Sequence, residues 1–124
     1  MRGRSMSKPH RDLVRLMRER PALAKLRVEH KANGKKIDVA FPRIGLAVEM
    51  QGCFWHACTD CYPTPNKIQR GKIKQDERRS KAVTQDGWVF LPVRECDFRR
   101  DPDAVIRSIE ALVDMLMGVV GEGS

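Results

Sequence analysis

The feature that most constrains this chain is its set of four cysteines. Cys53, Cys58 and Cys61 crowd into one short segment (GCFWHACTDCY), and Cys96 follows far along the chain. No apolar leader marks the start (MRGRSMSKPHR), so the expected compartment is the reducing cytoplasm, where disulfides do not persist. Clustered cysteine there reads as a metal site or a redox centre. Cys58-x2-Cys61 has zinc-knuckle spacing, and four thiolates close a tetrahedral zinc shell with no open position. Such a Zn²⁺ would be structural and would tie an irregular loop to the body of the fold. The plainer alternative is that some of these cysteines are small core residues.

A chain of 124 residues is the usual size of one domain, and 1–124 is read as such, with 1–8 as a basic, flexible tail. Apolar residues at 41% suffice for a single core. No apolar run approaches the roughly 20 residues needed to cross a bilayer. The formal net charge of +8 is unevenly spread. Residues 1–36 carry twelve Lys/Arg against three acids, whereas residues 97–124 carry three against six. A basic, lopsided domain points to a polyanionic partner, most often nucleic acid; the plainer alternative is simple solubility.

Hydrophobic periodicity and turn chemistry order the elements. A helix is expected over Pro9–Arg20, with Ser7 as its cap and Leu13, Leu16 and Met17 as its apolar stripe. Strands follow at about 26–30, 36–41 and 46–51, the first two joined by Asn33-Gly34, a strong hairpin turn. Residues 52–66 read as irregular. A charged helix runs over Lys67–Asp86 with Gly87 beyond its end. A strand at 88–93 comes next, and a last helix starts at Asp101-Pro102. Residues 118–124 are expected to fray. The order α-β-β-β-α-β-α implies an α/β fold, a mixed sheet flanked by helices.

Several polar residues stand where chemistry could use them. Asp38 lies between Ile37 and Val39 inside an apolar strand, a costly place for an acid without a partner. It could hold Mg²⁺, or it could face solvent on an edge. Glu49 and Gln51 share one face of the next strand. His56 could act as a general base or lie exposed in its loop. Asp76 interrupts a helix in which residues 67–81 hold seven Lys/Arg and two acids. It could serve a metal or water, or pair with Lys72 or Arg79. Lys67, Arg70, Lys72, Lys74, Arg78 and Arg79 supply phosphate contacts. Phe54 and Trp55 could wedge between base pairs, or one could pack over the zinc loop.

GCFWHACTDCY, the Asp38 strand before it, the Asp76 helix after it and the VREC segment together resemble the very-short-patch repair (Vsr) mismatch endonucleases. The resemblance runs from about Leu26 to Cys96. It implies a restriction-endonuclease-like fold and Mg²⁺-dependent nicking of duplex DNA. It implies Asp38 and the Met50 backbone carbonyl as metal ligands, His56 as the catalytic histidine and Asp76 as an acid near the metal's waters. Asp12 falls roughly where the family carries a helix glutamate. Cys53, Cys58, Cys61 and Cys96 match the structural zinc positions, Cys58 standing where the best-known form uses His. Phe54 and Trp55 match intercalating aromatics. The departures bear on mismatch choice. The stretch from Cys61 to Asp76 is short and lacks a further wedge tryptophan, Gln51 replaces a His, and the N-terminal region is abbreviated. A homing-type nuclease, a non-catalytic zinc-stabilised DNA-binding module and a subunit needing a protein partner for specificity therefore stand beside the repair reading. A monomer is the expected state.

Overall fold

The computed structural model describes residues 6–54 and 56–123, with side chains through Val120. Helix α1 spans Lys8–Arg18. Ser7 caps it by accepting a hydrogen bond from the His10 N–H, and Pro9 fits the first turn, where no intrahelical donor is needed. Ser7 and Lys8 thus belong to the helix start and not to a tail; the rest of the expected tail, residues 1–5, lies outside the described residues. One 3-10 turn at Pro21–Leu23 leads to strand β1, Arg27–Ala32.

Asn33 and Gly34 both take positive φ (52° and 77°) and turn β1 back into β2, Lys35–Phe41. Strand β3 covers Leu46–Gln51. Helix α2 covers Lys67–Gln85 and opens with a reciprocal capping box between Asn66 and Gln69. Gly87, at φ 98°, stands just beyond its C-cap Asp86. Strand β4, Val89–Arg94, runs directly into a short helix α3, Glu95–Arg100, which periodicity did not reveal. Six residues are too few for a helical pattern to register, yet α3 carries Cys96 and buries Phe98. Helix α4 extends over Pro102–Gly123, well into the stretch expected to fray.

The sheet order is β1-β2-β3-β4. The first three strands form an antiparallel meander, and β4 lies parallel to β3 because α2 carries the chain back across the sheet. The two faces differ. One buries Leu13 and Met17 of α1, Phe98 of α3, and Ile106 and Ile109 of α4 against Val39, Val48 and Val93. The other is thin: Val83 of α2 meets Ile37, Ala40 and Ala47. Apart from Gln69, Val83 is the one residue α2 fully buries, as its sparse apolar positions predicted. Most of α2 therefore stays toward solvent as a basic ridge. No helix among the described residues is long and apolar enough to cross a membrane.

Candidate active site and metal centre

Tight local turns gather the cysteines. The Cys58 N–H donates to the Cys53 carbonyl at 2.9 Å, and the Tyr62 N–H to the Cys58 carbonyl at 2.7 Å. α3 then delivers Cys96, whose N–H donates to Cys53 Sγ at 3.3 Å. All four Sγ atoms lie within 4.8 Å of one another. A tetrahedron with Zn–S bonds of about 2.3 Å has edges of about 3.8 Å, and Cys58 Sγ lies 3.7 Å from Cys96 Sγ. The cluster is thus sized to hold zinc.

Its electrostatics ask for a cation. Burial pushes the Cys53 thiol up to about 12. Burial also acts against the Cys58 thiolate, but hydrogen bonds from the Cys61 and Asp60 backbone and from neighbouring thiols overcome it and bring that thiol down to about 7. Four adjacent thiolates repel one another unless a metal neutralises them. Arg94 stands beside the cluster, 3.6 Å from Cys58 Sγ and paired with Asp60 and Asp97. Glu95 fixes the loop by accepting from the Cys53 N–H at 3.2 Å.

A second polar centre lies where the middle of β2 meets the end of β3. Asp38 Oδ2 accepts from the Met50 N–H at 3.3 Å. Burial, and then the Glu49 charge, push the Asp38 carboxyl above the ordinary carboxylate range. Glu49, itself buried, is held by Arg79 in a two-pronged pair at 2.9 and 2.8 Å and accepts from the Asp38 N–H at 3.0 Å. Arg79 also reaches the Lys36 carbonyl. One turn earlier on α2, Asp76 Oδ2 accepts from His56 Nδ1 at 2.7 Å, and Lys72 stands 3.8 Å from its other oxygen. The arrangement pins one ring nitrogen of His56 and leaves Nε2 for chemistry. His56 is therefore tied to Asp76 and not to the cysteines.

Two hollows connect these groups. One of about 210 Å³ is lined by His10, Glu29, Lys36, Asp38 and Met50. A cleft of about 820 Å³ is lined by Met50, His56, Gly71, Lys72, Lys74 and Arg78. Ser7 and Met50 belong to both walls. Asp38 and the His56–Asp76 pair are thus brought to adjoining depressions, bridged by Met50.

Two expected site residues have other partners. Asp12 pairs with Lys8 at 3.0 Å and lies 3.7 Å from Arg15, lining a separate hollow with Phe98 and Arg99. Two residues along a helix turn a side chain by about 200°, so it is His10, not Asp12, that α1 turns toward Asp38. Arg79 is held at the sheet, its guanidinium bonding to Glu49 and the Lys36 carbonyl. Lys67, Arg70, Lys74 and Arg78 are exposed and Lys72 is half-buried. Phe54 is exposed and packs edge-on to Tyr62, with ring centres 5.6 Å apart. Trp55 lies outside the described residues.

Sequence reasoning missed three residues. His10 shares the buried stripe of Leu13, Val14 and Met17, and a polar side chain in such a stripe was the available signal. Gln69 is buried and donates to the Phe54 carbonyl at 3.0 Å, so α2 holds the aromatic loop. Glu95, which fixes the Cys53 N–H, gives no sequence signal of its own.

No family model matches the chain. It is 33% identical over 89 residues to the type II nicking enzyme V.NaeI of Lentzea aerocolonigenes, a match covering 65% of this chain and 49% of that one. The chain thus spans about half the length of this curated relative. The solved catalytic domain of the homing endonuclease I-Bth0305I shares the fold, with a TM-score of 0.62 at 17% identity, over 90% of this chain and 98% of that domain. The architecture is accordingly an α/β nuclease-type fold: a mixed sheet flanked by helices, with a four-cysteine cluster that could hold zinc.

Proposed function

We propose that the chain is a DNA endonuclease that nicks one strand of duplex DNA with the help of a divalent cation. The observation that carries this reading is the meeting of Asp38 and the His56–Asp76 pair on adjoining hollows beside the basic ridge of α2. A strand carboxylate without an ion pair among the described residues suits a hard cation, and Mg²⁺ is the expected one. Asp38 and the Met50 carbonyl would hold it. Bound there, it would supply neutralisation of charge developing on the phosphate.

The protein's own groups divide the remaining work. Asp76 orients the His56 ring through Nδ1, so Nε2 would be placed to move a proton to or from the reacting oxygen. Glu49 and Arg79 neutralise each other and lock β3 to α2, which keeps Asp38 and Asp76 in register. Lys72, Lys74 and Arg78 would hold the phosphate backbone along the cleft. Phe54, braced by Tyr62, and Trp55 would enter the base stack. The zinc cluster is structural in this scheme, since it has no open position. The 33% identity to a nicking enzyme supports one-strand cleavage. The Gly52-Cys53-Phe54-Trp55-His56 run supports a T:G mismatch as the substrate within the repair reading.

The test is incubation with Mg²⁺ and a panel of supercoiled plasmid, matched duplex and T:G duplex. Nicking of the T:G duplex above the matched one is the expected result. Nicking of all three alike would favour a homing-type or partner-directed enzyme. Salt-sensitive binding with no cleavage of any substrate would leave a DNA-binding module.

A further inference from the structure

His10 is 7% exposed, and its Nε2 has no hydrogen-bond partner among the described residues. A buried ring nitrogen left unsatisfied forfeits its bonds to water and gains none in return. α1 could have placed an apolar side chain there, as it does at Leu13 and Met17 of the same stripe. The ring instead lines the 210 Å³ hollow together with Asp38 and the Met50 backbone.

The other charges of that region are answered. Glu29 meets Lys36 at 3.5 Å, and Glu49 holds Arg79. Asp38 has neither ion pair nor side-chain donor among the described residues, only the Met50 N–H. An imidazole nitrogen and a carboxylate thus share one small hollow without bonding to each other. A divalent cation between them would satisfy both at once, because each can offer a lone pair to it.

Building on the reading of Asp38 as a cation ligand, we propose that His10 Nε2 is a direct ligand of the same ion. A carboxylate–imidazole pair is a more borderline donor set than oxygen alone. It favours Mn²⁺ and Co²⁺ over Mg²⁺ relative to an all-oxygen site. Residue 10 then sets which metal the enzyme uses, and the cap at Ser7 fixes the helix turn that presents it.

The experiment uses the zinc-loaded full chain without DNA, titrated with Mn²⁺ and followed by electron paramagnetic resonance. Pulsed spectra of the bound Mn²⁺ should show coupling to a ¹⁴N nucleus. That coupling should vanish in His10→Ala, and Mn²⁺ affinity should fall about tenfold or more. It should persist in His56→Ala, since that ring is engaged by Asp76. If His10→Ala fails to fold, His10→Gln serves, with the melting curve as control. Mn²⁺ bound without nitrogen coupling, coupling that survives loss of His10, or no Mn²⁺ binding at all would overturn the proposal. Nitrogen-coupled Mn²⁺ in a protein that nicks no DNA would instead overturn the functional reading and leave this one standing.

Discussion

The cysteine centre and the Asp38 centre are built on opposite principles. The cysteine centre is local. Three cysteines fall on a single turn-rich segment, and only Cys96 is brought from afar by α3. The Asp38 centre is distributed: His10 comes from α1, Asp38 from β2, Glu49 and Met50 from β3, and Asp76 and Arg79 from α2. A local centre can stabilise a loop that has too few apolar residues to stabilise itself. A distributed centre depends on the fold being right first. The same loop carries Phe54 and His56, so a metal held by the cysteines would fix the position of both residues.

This division of labour can be broken from either side. The largest effect falls on the staple. Cys58→Ser should lose the bound zinc and with it the cooperative melting transition, since a structural zinc contributes on the order of 10 kcal/mol or more to folding. Zinc content by mass spectrometry and a melting curve check it. Next is His56→Ala, which should lower the nicking rate by about 10²–10⁴ while leaving zinc content and melting unchanged. Arg79→Ala comes third. It leaves Glu49 buried without its partner, and should cost about 2–4 kcal/mol by denaturant titration, somewhat less than a fully buried pair because Arg79 is partly solvated. Replacing Arg79 and Glu49 together should recover part of that loss.

The smallest effect sharpens the account of the cleft. Gly71 sits within α2, and a Cβ there would meet nothing within 4 Å. Gly71→Ala should therefore stabilise the helix by about 0.5–1 kcal/mol. If the duplex backbone approaches this face, the same change should weaken DNA binding in a filter or fluorescence assay. A gain in stability with unchanged DNA affinity would place the DNA elsewhere.

The two centres also differ in how much of them the sequence disclosed. The Cys58-x2-Cys61 spacing flagged a candidate metal cluster, which the fold does assemble, because metal geometry fixes residue type and separation together. The meander, α2 and its Gly87 terminus were equally legible, since turn and cap chemistry are local. The distributed site was not. Asp38 stood out as an acid in an apolar strand, but nothing local said that Glu49 would spend itself on Arg79 or that His10 would outrank Asp12. Those outcomes depend on helical phase and on the docking of α1 and α2, which are tertiary facts. α3 escaped notice for a related reason: six residues carry too little periodicity to mark a helix.

The central claim is that the cysteine cluster holds the fold while Asp38 serves the chemistry. It is tested most directly by comparing wild type and Asp38→Ala for nicking of supercoiled plasmid in Mg²⁺, with zinc content and melting measured on the same samples. The account predicts nicking by the wild type, none above background by the variant, and equal zinc and intact cooperative melting in both. Equal nicking by the two proteins, or loss of zinc from Asp38→Ala, would contradict it.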